Sequence, residues 1–240
     1  MNDAKYLEAT KIIDFNEPSI EKLVTERKWE RLSDYEKIGK AYHFVKDEIL
    51  FGYNAEDNLT ASRVLKDGYG QCNTKGNLIM ALFRKLNIPC RLHGFTIDKP
   101  LQKGAIPSYL YFFTPANIIH SWVEVYFQGE WINLEGFIID PKLLKSVQLK
   151  HNNSKGTFSG FGIATKCLAE PNVDWQGKST YIQKEGINND FGVYDNPDQF
   201  YKFYGTNLSG IRGLLYRYIL RHLINLNVRM IRRKFTQSLN

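Results

Sequence analysis

The residues best suited to do chemistry lie in the run Gly68-Tyr69-Gly70-Gln71-Cys72-Asn73-Thr74-Lys75. Two glycines allow a tight approach or a positive φ just before a helix begins, and Cys72 then falls in that helix's first turn. The unpaired N–H groups there and the positive end of the helix dipole favour a thiolate, the nucleophilic form of the side chain. A free cysteine is otherwise a small buried hydrophobe, and neither Cys90 nor Cys167 stands in a comparable context. Three cysteines with no CxxC spacing and no histidine pair at finger spacing indicate neither a disulfide framework nor a zinc site.

A thiolate nucleophile needs a base beside it and a third group to orient that base. His120 to Phe127 and Trp131 to Ile139 alternate around Gln128-Gly129, the pattern of a β-hairpin. A turn centred on that pair sets Trp122 opposite Glu135 and Glu124 opposite Asn133. His120 and Glu135 then become diagonal neighbours on one face, at a backbone separation of about 7 to 8 Å. Val123, Val125, Ile132 and Leu134 share the other face and read as core. Asp140, an odd number of positions beyond Glu135, points to the opposite face of an uninterrupted strand and meets the imidazole only if the strand bulges. Taken singly, His120 also reads as a satisfied histidine at a strand end and Glu135 as a surface residue. For His43, His93, His151 and His222 the pattern places no acid alongside. Asp190-Phe191-Gly192 matches a kinase tripeptide, but no glycine-rich or catalytic loop precedes it, so it reads as a turn.

These residues require positioning elements. Ser33-Asp34-Tyr35-Glu36 is a capping box that starts a helix running to about Leu50, and Ser19 to Arg31 reads as another helix before it. Thr60 caps a short helix, Ala61 to Lys66, ended by Gly68. Leu78, Ile79, Leu82, Phe83 and Leu86 make Asn73 to Leu86 an amphipathic helix. Cys90 to Ile97 reads as a strand, and the long connection Lys99 to Ile119 reads as a loop that shapes a binding site. Asn152 to Asp195 reads as an irregular lobe, and Asn196-Pro197-Asp198 as a helix start.

Composition fits this outline. At 43 % hydrophobic and 24 % charged residues, 240 residues make an ordinary globular chain. The N-terminus does not read as a secretory signal, which predicts a cytoplasmic protein, and no apolar run is long enough to span a membrane. The net charge of +7 is local: Gln199–Asn240 holds eight of the 32 basic residues and none of the 25 acidic ones, leaving the rest at −1. Nucleic acid is not expected, since no recognition motif accompanies the charge. Leu214 to Ile231 places Arg217, Arg221, Asn225 and Arg229 on one stripe and Leu215, Ile219, Leu223, Leu226 and Met230 on another. Such a basic amphipathic helix either docks on its own domain with its arginines in water or contacts a partner or an anionic surface. Its expected role is association rather than chemistry.

The chain resembles the transglutaminase-like superfamily of papain-fold cysteine enzymes. The matching features are Thr60 to Leu65 leading into Gly68-x-Gly70-x-Cys72, the helix ending Ala81 to Arg91, then His120-x-Trp122-x-Glu124-Val125-Tyr126 and Trp131-x-x-x-Glu135. The resemblance implies an α+β fold: N-terminal helices, and a nucleophile helix packed on a mainly antiparallel sheet. Residues 1–200 would form the domain, with core motifs in 53–141 and an irregular lobe in 142–200, and 201–240 the basic C-terminal helix. It also implies a Cys-His-Asp triad with Cys72 as nucleophile and His120 as base. Glu135 stands where aspartate is usual, and Asp140 is the alternative third member. The Cys72 N–H is one expected oxyanion donor, with Tyr53 or Gln71 as a second and Trp122 near the substrate. The implied activity is hydrolysis or transfer at an amide or related acyl bond of a peptide, protein or other amide, through a thioester and without metal or organic cofactor. The alternative is a catalytically silent domain that binds peptides or a partner.

Overall fold

The computed structural model describes residues 3–207 and 210–237. Residues 1–2, 208–209 and 238–240, the last five of them part of the expected tail, lie outside the described residues. Helices α1 (Pro18–Glu26) and α2 (Asp34–Asp47) come first. The expected capping box opens α2: Ser33 N donates to Glu36 Oε2 at 3.0 Å and Glu36 N to Ser33 Oγ at 3.4 Å. A parallel pair, β1 (Leu50–Phe51) and β2 (Tyr69–Gly70), brackets α3 (Ala61–Asp67), which Thr60 caps and Gly68 ends at φ 70°. The nucleophile-bearing helix α4 (Cys72–Lys85) follows.

The two glycines before α4 do different things. Gly68 supplies the left-handed C-cap. Gly70 permits close approach, because a Cβ there would lie 2.6 Å from Thr74 Oγ1 and 3.0 Å from Lys75 Cγ. The periodicity predicts an amphipathic α4, yet every residue from Cys72 to Arg84 is buried. Several of its buried polar side chains donate to backbone carbonyls. Lys75 Nζ donates to Ile138 O at 3.0 Å and Asn77 Nδ2 to Leu59 O at 2.9 Å. Arg84 donates to Glu8 O at 2.6 Å and Cys90 O at 3.1 Å. Burial is the largest influence on Lys75 and draws its pKa down to about 7.

The sheet is formed by β3 (Cys90–Asp98), β4 (Asn117–Phe127), β5 (Glu130–Leu134) and β8 (Ile187–Tyr194) in the order β5-β4-β3-β8, antiparallel throughout. Between them in the chain lie α5 (Ser108–Tyr111), α6 (Pro141–Lys150) and the small pair β6 (Phe158–Gly160) and β7 (Ile163–Thr165). The hairpin has the expected register, Glu124 facing Asn133 and Val123 facing Leu134. Gln128 and Gly129 both take positive φ, 51° and 90°, the turn whose twist matches its strands. Two expectations are corrected here. The second hairpin strand ends at Leu134 instead of Ile139, because Ile138 N bonds back to Glu135 O and turns the chain. The supposedly irregular 152–195 contributes the edge strand β8, and Asp190-Phe191-Gly192 is a bulged stretch within it.

After α7 (Pro197–Tyr204), the tail forms α8 (Gly210–Leu215), a π turn over Tyr216–Leu220 and α9 (Arg221–Gln237). It docks on the body, but by a different face from the apolar stripe picked out by spacing. Ile224 and Val228 are buried in the core with Tyr216, Leu220 and Ile231 packed alongside, whereas Leu215, Ile219, Leu223, Leu226 and Met230 are exposed. Asn225 donates to Tyr53 O at 3.0 Å and accepts from Tyr53 N at 2.8 Å. Arg232 is not in water: its guanidinium forks onto Asp140, with Nη2–Oδ2 at 2.5 Å, and donates to Phe51 O. No helix among the described residues is long and apolar enough to cross a membrane.

Asp140 therefore belongs to this tail contact and not to the imidazole. It caps α6 by accepting from Leu143 N at 3.0 Å, and also accepts from Phe51 N at 2.9 Å. Burial works against the carboxylate most strongly, but Arg232 and the two backbone donors outweigh it and hold the pKa below the ordinary 3.8. Asp140→Asn should cost about 3 kcal/mol of stability in urea unfolding, since it leaves Arg232 without its counter-charge. Because the folded-state pKa is depressed, the carboxylate's contribution is complete above pH 3.8 and is lost as pH falls through the lower folded value. The deficit of the variant should shrink over that acid range.

Candidate active site

Cys72, which opens α4, lines a cavity of about 110 Å³ together with the polar side chains of Tyr53, Gln71, Gln102 and Gln183. The rest of the lining is mostly apolar and includes Ile106, Leu110 and Phe113 together with Tyr216, Leu220 and Ile224. The tail thus forms part of the cavity, which its expected role in association alone did not include.

His120 and Glu135 are both fully buried, and His120 Nε2 lies 2.9 Å from Glu135 Oε1. The other carboxylate oxygen accepts from Ile182 N and Gln183 N, each at 2.9 Å. Glu135 N donates to Thr180 O at 3.1 Å, and Thr180 N to Asn133 O at 2.9 Å, so the lobe segment 180–183 extends the sheet edge and wraps the carboxylate. His120 Nδ1 has no hydrogen-bond partner among the described residues. The Cys72 thiol is close enough to the ring to be, after burial, the strongest influence on its charge. Burial disfavours the imidazolium more than any other single influence. Cys72 and then Glu135 together outweigh it, and the pKa of His120 is pushed up to about 10.

Asp57 holds the frame that sets Cys72 against His120. Its Oδ1 accepts from Gln71 Nε2 at 3.2 Å and Asn73 Nδ2 at 3.1 Å, and its Oδ2 from Asn207 N at 2.9 Å and Nδ2 at 3.0 Å. Asn73 Nδ2 and Asn207 Nδ2 both reach Ile119 O at 3.1 Å, and Ile119 N donates to Asn207 Oδ1 at 2.6 Å. One buried carboxylate thereby ties the start of α4 to the strand residue preceding His120.

The other expected site residues fall differently. Gln71 lines the cavity, its Oε1 taken up by Asn54 N at 2.8 Å and one of its two Nε2 hydrogens by Asp57 at 3.2 Å. The Tyr53 hydroxyl is likewise taken up, donating to Gln102 Oε1, and burial first, then Cys72, raises its pKa. Trp122 does not line the cavity. It packs on Phe95, at 4.2 Å between ring centroids, and on Tyr181 and His93, forming an apolar layer behind His120. Sequence reasoning missed Asp57, Gln102, Gln183 and Asn207, none of which sits in a spaced motif. It also left His93 without an acid, although His93 Nδ1 lies 2.7 Å from Glu124 Oε1 and Nε2 lies 2.9 Å from Asp190 Oδ1. Among the described residues no group of three or more metal-ligating side chains occurs.

Residues 23–136 match the model of the transglutaminase-like superfamily, so that stretch of the chain is similar to a transglutaminase-like domain. Among solved structures, a candidate cysteine protease from Cytophaga hutchinsonii is similar at 16 % identity and a TM-score of 0.43, over 58 % of this chain and 43 % of that one. The chain thus spans less than half the length of that protein. No curated protein matches the sequence.

The ring of His120 is the readout for this arrangement. NMR titration should find its pKa far above 6.5 in the wild type and lower in both Cys72→Ala and Glu135→Gln, each of which removes an upward influence. Since the folded pKa is raised, the ring's contribution to stability is complete below pH 6.5 and is lost as pH climbs through about 10. Wild-type stability should fall across that range, and by less in Glu135→Gln.

Proposed function

We propose that the site carries out cysteine-dependent acyl transfer, with Cys72 as nucleophile, His120 as acid and base, and Glu135 as the carboxylate that orients the imidazole. The observation that carries this reading is the juxtaposition of an imidazole, bonded to a buried carboxylate through Nε2 only, with a thiol at a helix N-terminus facing a cavity. Cys72 Sγ attacks the carbonyl carbon of an amide or ester while the proton of the thiol rests on His120. The tetrahedral oxygen is received by the Cys72 N–H and by Gln102 Nε2. Gln102 suits this role because Tyr53 fixes its Oε1, and its Nε2 makes no hydrogen bond among the described residues. Collapse breaks the bond to the leaving group, which takes the proton from His120, and leaves a thioester. Water or an amine then gives a proton to His120 and attacks the thioester, and the thiol is restored. The apolar wall favours a substrate, peptide-like or otherwise, with an apolar group on the acyl side.

Two experiments test this. Iodoacetamide at about pH 6 should label Cys72 in preference to Cys90 and Cys167, since only an activated thiol reacts well below an ordinary thiol's pKa. Cys90 is fully buried, its pKa pushed up by that burial, so exposed Cys167 is the internal comparison. Preferential labelling of Cys167 would remove Cys72 from its role. With p-nitrophenyl hexanoate, mass spectrometry should find a hexanoyl adduct on Cys72 that hydroxylamine releases. Glu135→Gln should slow its formation by about two to four orders of magnitude, and Asp140→Asn by no more than about threefold, because Asp140 lies away from the ring. Equal losses in both variants would argue against Glu135 as the orienting group.

A further inference from the structure

Eleven of the seventeen exposed large hydrophobic side chains among the described residues fall in two short stretches, 109–113 and 211–230. Both stretches contribute side chains to the cavity lining. Leu110 and Phe113 of the first stretch and Tyr216, Leu220 and Ile224 of the second line it. Exposed on these stretches are Tyr109, Phe112 at 86 %, Ile211 at 85 %, Leu214 at 53 % and Tyr218 at 67 %, continued along α9 by Leu226 and Met230. A cluster of exposed apolar side chains such as this marks a contact site.

The charge around it has one sign. Neither 99–123 nor 199–240 contains an aspartate or glutamate. Arg212, Arg229 and Arg233 are exposed and make no ion pair among the described residues. The two acids near the mouth are both occupied, Glu56 by Arg217 at 2.5 Å and Asp57 by its four amide donors. We propose that this face is an interfacial docking surface for an anionic lipid bilayer, which sets the cavity mouth at the level of the acyl chains. Aromatic and aliphatic side chains beside unpaired arginines are what a helix lying in a membrane interface presents, and anionic headgroups supply the missing counter-charge. A second copy of the chain fits less well. A two-fold interface would bring two acid-free basic faces together.

The proposal is independent of the chemistry assigned to Cys72, and its test reads the two separately. The full chain is sedimented with vesicles of phosphatidylcholine alone and of equal parts phosphatidylcholine and phosphatidylglycerol. Binding is expected to the mixed vesicles and not to the neutral ones, and to weaken as salt is raised. Phe112→Ser with Ile211→Ser should reduce binding by about tenfold or more, as should Arg212→Gln with Arg229→Gln and Arg233→Gln. Circular dichroism and the Cys72 alkylation rate should be unchanged in both, because none of these residues lines the cavity. Failure to bind the mixed vesicles overturns the proposal. So does binding that survives loss of Phe112 and Ile211, which would reduce it to charge alone. A dimer in solution that the Phe112/Ile211 variant dissociates would assign the face to self-association instead.

Discussion

The burial of the Glu135 carboxylate is the constraint on which most of the architecture depends. A carboxylate removed from water is tolerated only when its oxygens are bonded, and Glu135 receives one imidazole and two backbone N–H groups. The imidazole comes from the neighbouring strand, but the two N–H groups come from residues 47 and 48 positions further along the chain. The irregular lobe must therefore return to the sheet edge, where the hydrogen bonds of Thr180 to Asn133 and Glu135 fix its register. Gln183, brought in by the same return, ends on the cavity wall with its Nε2 donating to Gly162 O. Orientation of the ring and formation of the cavity thus follow from satisfying one buried charge.

A second buried carboxylate, five positions on, organises the other half of the molecule. Asp140 gathers the start of α6, the β1 backbone and Arg232 of α9. This pins the tail where Tyr216, Leu220 and Ile224 close the cavity. Docking by that face leaves the helix's second apolar stripe outward, so the cavity wall and the exposed patch are two consequences of one contact.

The parts that were legible in the sequence are those set by local rules. A two-residue turn at Gln128-Gly129 fixes a register, and with it the approach of His120 to Glu135. Gly70 and Gly68 mark the entry to α4, and Ser33 and Thr60 act as the caps their positions suggest. What could not be read was long-range and backbone-mediated. The donors from Ile182 and Gln183 are main-chain N–H groups that any residue type would supply. Asp57 and Asn207 meet across 150 positions, with only isolated polar side chains to announce it. The tail failed for a different reason. Leu215-Ile219-Leu223 and Tyr216-Leu220-Ile224 are both apolar at helical spacing, and periodicity does not say which stripe faces inward. Asn225 and Arg232 decide it, through partners on β1 and at Tyr53 that no local pattern reveals.

The same sheet holds two histidine–glutamate pairs, and their difference isolates what the proposed chemistry requires. His93 is bonded at both ring nitrogens, by Glu124 and Asp190, and those two acids overcome the opposing burial to raise its pKa. Glu124 is held in turn by Arg91 at 2.6 Å. This is a closed network: a proton on either nitrogen is already committed to a carboxylate, and the ring does not line the cavity. His120 shares the sheet and the glutamate partner but keeps Nδ1 unbonded. Its carboxylate spends its second oxygen on backbone donors instead of on another side chain, so the pair has one open valence and the thiol lies beside it. A ring fixed at one nitrogen and open at the other can pass a proton without losing its orientation. A ring fixed at both can only hold its neighbours together.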